Sequence, residues 1–158
     1  MRFFVLTMLA FVLSAPAQVS AQTAQSGQAR YLEVEKVVIH TQLGTFDIDA
    51  EIADEPAEHS QGLMFRTEMG PGQGMLFNFG ETRPVTMWMK NTPLSLDMVF
   101  IRPDGTVATV AERTEPFSLK HIPSGEPVSH VLELRGGVAR MIGLKAGDRV
   151  EHASLGGE

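Results

Sequence analysis

The chain has 158 residues, is 43% hydrophobic and 20% charged, and carries a formal net charge of −6. That length and balance describe one folded domain rather than a disordered chain, and so acidic a chain lacks the basic patch that nucleic-acid binding needs. It contains no cysteine, which excludes disulfides, thiol catalysis, cysteine-linked haem and thiolate metal sites.

At the N-terminus, Arg2 precedes an apolar run over residues 3–13, and Val19-Ser20-Ala21 supplies small residues before Gln22. This is the pattern of a secretory signal peptide over residues 1–21. Ala15-Pro16-Ala17 offers an earlier cleavage site, and an uncleaved anchor is the alternative reading. The apolar run is too short to span a bilayer, no cysteine is present for lipid attachment, and no later run is long enough to cross. The expectation is a periplasmic or secreted protein with no membrane span after cleavage. Removing 21 residues from 158 leaves 137, and loss of Arg2 moves the formal charge from −6 to −7.

Residues 22–33 are largely polar and small, a flexible leader to a single domain over residues 34–152. Residues 34–41 are β-branched and read as a strand. After Leu43-Gly44, Phe46, Ile48, Ala50 and Ile52 alternate with Asp47, Asp49 and Glu51, the second strand of a hairpin. Asp54-Glu55-Pro56 starts a helix that runs to about Met64, with Gly62 able to interrupt it. Residues 69–74 are a loop, 75–79 a short strand and 80–84 a turn.

Two strands then flank Thr92-Pro93. Val85, Met87 and Met89 share one face, with Thr86, Trp88 and Lys90 opposite. Leu94, Leu96, Met98 and Phe100 share the next, with Ser95, Asp97, Val99 and Ile101 opposite. Arg102-Pro103-Asp104-Gly105 predicts a tight turn into a returning strand over residues 106–111. Residues 112–127 contain three prolines and little periodicity, a long surface loop that could serve as a movable rim. Val128, His130, Leu132 and Leu134 alternate with Ser129, Val131 and Glu133 in another strand. Residues 136–142 make a short helix ended by Gly143, residues 149–152 a last strand, and residues 153–158 a fraying tail. Many short strands, frequent Gly and Pro turns and two short helices predict an all-β, mainly antiparallel fold: a sandwich or jelly-roll-like barrel. No βαβ rhythm is visible.

Gly62-Leu63-Met64-Phe65-Arg66, Gly74-Met75-Leu76-Phe77, Trp88-Met89-Lys90-Asn91-Thr92, Leu96-Asp97, Val131-Leu132-Glu133-Leu134 and Gly147-Asp148 occur in that order. Together they resemble domain of unknown function 192, an uncharacterised prokaryotic family. The resemblance covers about residues 34–152 and implies a compact, mostly β, jelly-roll-like domain that is often exported. It brings no catalytic residues.

The side chains themselves suggest a site. Arg66, Trp88, Lys90, Asn91 and Asp97 combine an aromatic face with cationic, amide and acidic groups, suited to a small molecule, a glycan or a protein partner. They are predicted to border one concavity, with Arg66 paired to Asp97. The alternative is a Trp88 buried in a second small core. Asp97 and Glu133 could face one cleft as the acid/base pair of a hydrolase or lyase, or could simply pair with Arg66, Lys90 or Arg149. Met64, Met69, Met75, Met87, Met89 and Met98 are six of nine methionines and could bind Cu(I), but without a Met-x-x-Met array they read better as core filling. His40, His59, His121, His130 and His152 are scattered and predict no metal site. No cofactor is expected. The leading reading is an exported binding or accessory module.

Overall fold

A computed structural model describes residues 27–156. The segment read as a signal peptide lies outside those residues, as does the start of the leader. Among the described residues, no helix is long and apolar enough to cross a membrane.

Seven strands and two short helices follow one another as β1 (Val34–Thr41), β2 (Gly44–Ala53), α1 (Pro56–Gln61), β3 (Gln73–Met87), β4 (Leu96–Ile101), β5 (Val107–Ala111), β6 (Ile122–Arg135), α2 (Val138–Met141) and β7 (Arg149–Glu151). The strands form one sheet in the order β5-β4-β6-β3-β2-β1-β7. Its two edges meet: Thr106 bridges Arg149, the Val107 N–H donates to the Asp148 carbonyl at 2.8 Å, and the Val150 N–H donates to the Gly105 carbonyl at 2.8 Å. The sheet therefore curls into a barrel closed along a short seam, which shortens the exposed edges an open sheet would carry.

The fold is all-β and mostly antiparallel. One pair departs from that: β2 and β3 run parallel, and α1 lies in the crossover between them, because parallel neighbours cannot be joined by a hairpin. The helix was expected from Asp54-Glu55-Pro56 and forms over Pro56–Gln61, but the parallel pairing it serves was not, because no local spacing shows which strands become neighbours. The first turn of α1 is held by the Glu58 carboxylate, which accepts the N–H groups of Asp54 and Glu55 at 3.2 and 3.3 Å. Gly62 ends it at φ 48°, where an added Cβ would lie 3.0 Å from the Phe77 ring.

Two apolar clusters hold the sheet from either side. All seven strands send side chains into the first, including Val37, Ile48, Leu76, Val99, Val107, Leu132 and Val150, and α2 adds Val138 and Ala139. The second lies on the other face of β3, β4 and β6, around Met75, Phe77, Met98, Phe100 and Val131, and is covered by Leu63 and Met89. Strand β4 is consequently buried along its whole length. Its alternation distinguishes two interiors, not core from solvent.

Other boundaries differ for local reasons. Strand β3 continues through residues 80–84, expected as a turn, by absorbing a register shift between Asn78 and Arg83. Strand β6 begins at Ile122, so the loop is shorter than the prolines suggested. That loop is tied down, with Ser118 and Thr92 carbonyls accepting the N–H groups of Met89 and Phe117 at 3.0 and 3.1 Å. The β4–β5 hairpin forms as expected, with Gly105 at φ 85°. Within the described part of the tail, Ser154 Oγ lies 2.9 Å from His130 Nε2, and the Gly156 N–H donates to the Pro103 carbonyl at 2.9 Å.

Candidate functional site

The corner at residues 88–95, between β3 and β4, leaves the sheet and folds against the segment that follows α1. The Phe65 N–H donates to the Asn91 carbonyl at 2.8 Å. Phe65 and Asn91 both sit in the left-handed region, at φ 65° and 54°, a conformation costly for a bulky residue and held here by the surrounding structure. Between this corner, α1 and the outer face of β3 lies a cleft of about 210 Å³.

Phe77 and Phe79 from β3 form an aromatic wall with Trp88, a residue that remains 44% exposed. Leu63, Met64 and Met87 add apolar surface. The His59 ring packs tilted against Phe79, with centroids 4.9 Å apart, and its Nε2 lies 3.0 Å from each of the Ala53 and Asn78 carbonyl oxygens, fixing that nitrogen as the donor. Lys90 Nζ sits 5.1 Å from the Trp88 ring centroid, and Arg83 Cζ sits 4.9 Å from that of Phe79.

Glu133 supplies the buried end of the cleft. It is only 4% exposed, and among the described residues its carboxyl has no hydrogen-bond or ion-pair partner. Burial alone pushes that carboxyl up to about 8, because the charged form loses its hydration with nothing to replace it. Glu133 is thus a neutral carboxylic acid at pH 7, able to donate one hydrogen bond and accept others.

The six residues singled out in the sequence divide between different places. Trp88, Lys90 and Glu133 share the cleft. Asn91 borders a neighbouring hollow of about 610 Å³ that also contains Gln28, Ala29 and Arg30, with Trp88 and Lys90 forming the ridge between the two. Arg66 is elsewhere and does not meet Asp97. Its guanidinium pairs with Glu51 at 2.6 Å, donates to the Arg30 carbonyl and lies 3.7 Å from the Tyr31 ring centroid. It pins the end of the leader to the barrel, so residues 30–32 are docked.

Asp97 is fully buried on the opposite face of the sheet. Its Oδ1 accepts the Arg113 N–H at 2.7 Å, and its Oδ2 accepts those of Gly137 and Ala139 at 2.8 Å each. It caps α2 and anchors the loop after β5, a structural role. Strands β4 and β6 pair with Met98 opposite Glu133 and Asp97 opposite Leu134, so the two carboxylates point to opposite faces and cannot act as a pair across one cleft. The loop after β5 does not line this cleft; with Met89 it borders a separate hollow.

His59, Phe77, Phe79 and Arg83 line the cleft and were not picked out from sequence. The parallel crossover brings α1 over β3, and no local pattern announces that. The methionines mostly pack: Met75, Met89 and Met98 are fully buried, and the Met89 sulfur accepts the Thr114 hydroxyl at 3.1 Å. Among the described residues, no group of three or more His, Cys, Asp or Glu side chains is placed to hold a metal.

A closed, mostly antiparallel barrel with one parallel crossover and a blind cleft defines a β-domain of the uncharacterised class. The chain belongs to domain of unknown function 192, described as "Uncharacterized ACR", whose pattern matches residues 38–152. It is similar to a solved structure from Sinorhizobium meliloti 1021 called a "putative transcription regulator", with 49% identity and a TM-score of 0.77, covering 81% of this chain and 100% of that one. It is also similar to a protein of unknown function from Novosphingobium aromaticivorans DSM 12444, with 32% identity and a TM-score of 0.75, covering 87% of this chain and 100% of that one. No curated protein matches it.

Proposed function

We propose that this protein is an exported β-barrel binding module that captures a small ligand in the cleft between Trp88 and Glu133. The carboxyl of Glu133 carries this reading. A polar group withdrawn from water without a partner costs free energy, and it is aimed into a cleft where a ligand's polar group can offset that cost. The aromatic and thioether walls supply contact area, and the few polar groups supply orientation.

Capture fits better than turnover because, among the described residues, a single carboxyl serves the cleft. Asp97 is committed to three backbone donors, so the acid/base pair that hydrolysis of a glycan requires is missing. Copper handling gains no support from thioethers of which Met75, Met89 and Met98 are spent on core packing. Regulation by nucleic-acid contact gains none from a formal charge of −6. Export rests on the N-terminal sequence pattern alone, and N-terminal sequencing of the protein from a periplasmic extract tests it: the mature chain begins at Gln22, and an intact Met1 would refute export.

The binding reading is tested by a fragment screen on the isotope-labelled mature chain, followed through backbone amide shifts. Hits are expected to perturb Leu63, Trp88 and Glu133 together. Hits that cluster only elsewhere, or a cleft silent to every fragment, would overturn it.

A further inference from the structure

We infer that the ligand of this cleft is a small organic anion, held at the mouth by Lys90 and Arg83 with its body against Trp88 and Phe79 and its far end at the Glu133 carboxyl. The inference rests on the binding reading above and narrows it to a charge class.

Among the described residues, four titratable side chains face the cleft: His59 from α1, Arg83 from β3, Lys90 from the corner and Glu133 from β6. The two at the exposed end are both cations. Arg83 shares its charge with Glu81 at 3.0 Å, whereas Lys90 has no ion-pair partner among the described residues. This is a local positive rim on a protein whose formal charge is −6.

The rings are already committed. Trp88 and Phe79 each carry one of these cations near the ring, the position a cationic ligand would seek. An incoming cation would meet an occupied aromatic wall and two like charges. An anion meets two cationic heads whose aliphatic stems widen the apolar surface beside it. Glu133 does not oppose this, since near neutral pH it is an uncharged acid that donates a hydrogen bond. His59 keeps one ring nitrogen on the Ala53 and Asn78 carbonyl oxygens, which locks its orientation. The volume, about 210 Å³, lies below the usual pocket range of about 300–1,000 Å³, so the ligand is compact.

Ionising Glu133 would place a negative charge against the ligand. Affinity for an anion therefore falls as the pH rises through about 8, and affinity for a cation would rise over the same range.

Three probes of nearly equal size and different charge separate the possibilities: phenylacetate, 2-phenylethanol and 2-phenylethylamine. Trp88 is the only tryptophan in the sequence, so its emission reports on the cleft, with amide shifts locating the probe. Phenylacetate is expected to bind about fivefold or more tighter than the alcohol, the scale of one or two partly exposed charge contacts. The amine is expected to bind weakest. Lys90→Met should erase the preference for phenylacetate while keeping the alcohol bound. If the alcohol or the amine enters the cleft as tightly as phenylacetate, the anion inference fails and the binding reading stands. If none of the three perturbs the cleft of the folded protein at millimolar concentration, both fail.

Discussion

Asp97 and Glu133 sit one position out of step on paired strands, and that offset decides their chemistry. Asp97 faces the interior occupied by α2 and receives three backbone N–H groups; Glu133 faces the cleft and receives none. Asp97→Asn keeps the shape but turns an amide N–H₂ toward backbone donors. It is expected to cost about 2–4 kcal/mol, the range for breaking a buried charge-assisted contact, read as a lower midpoint in urea unfolding. A variant as stable as the wild type would show that the capping role is minor. For Glu133 the sign is the reverse. Its folded value of about 8 lies above the ordinary 4.5, so the unfolded chain ionises first, and stability is lost as the pH rises from about 4.5 through about 8. Glu133→Gln removes that loss, and its advantage over the wild type should grow with pH to about 4 kcal/mol by pH 8. A pH-independent difference would contradict this. The alternation of β4 was legible in the sequence, and so was the exposed side of Trp88 and Lys90. What lay behind Asp97 was not, because a strand buried on both faces carries the same period as one half in water.

Among the elements, the leader and the crossover helix gain order from distant partners. Arg66 joins three of these in one place: it bonds Glu51 of β2, accepts nothing itself, and holds the Arg30 carbonyl and the Tyr31 ring. Glu51 in turn accepts the Leu32 N–H at 2.7 Å. Arg66→Ala is expected to cost about 2–4 kcal/mol by leaving Glu51 without its buried cation. It should also raise amide exchange at residues 30–32 before the barrel strands respond. Uniform exchange across the barrel would mean that the arm is not a separate unit. The sequence named Arg66 as a residue with a purpose but supplied Asp97 as its partner, on the expectation that a guanidinium following the helix would return to that carboxylate. Pairing with Glu51 depends on β2 lying beside β3 in parallel, a long-range arrangement that no local spacing reveals.

Across the whole molecule, closure of the barrel rests on a short seam. Gly105 has φ 85°, and a Cβ there would lie 2.5 Å from the Val150 carbonyl oxygen. Gly105→Val therefore strains the hairpin and also pushes β7 away from β5. It is expected to cost about 2–4 kcal/mol, more than the turn alone would account for. Thermal unfolding by calorimetry checks it, and a loss below about 1 kcal/mol would mean that the seam yields without cost. The barrel class was readable from many short strands between Gly and Pro turns. Its seam was not, because Thr106 and Arg149 meet across more than forty residues of chain that the pattern leaves unconnected.

The same closed sheet leaves its outer face on β3, β4 and β6 to be covered by α1 and the Trp88 corner, and the cleft is the place where that covering is incomplete. The inner end of this site, as proposed, works through Glu133 as an uncharged acid in contact with the cleft. The direct measurement is the titration of its side-chain carboxyl by carbon NMR, with Glu133→Gln used to assign the resonance. The structure calls for a midpoint near 8, shifting upward when phenylacetate is added. A midpoint near 4.5, unmoved by the probe, would mean that the carboxyl is solvated or paired, and the cleft would lose the group that makes it a binding site.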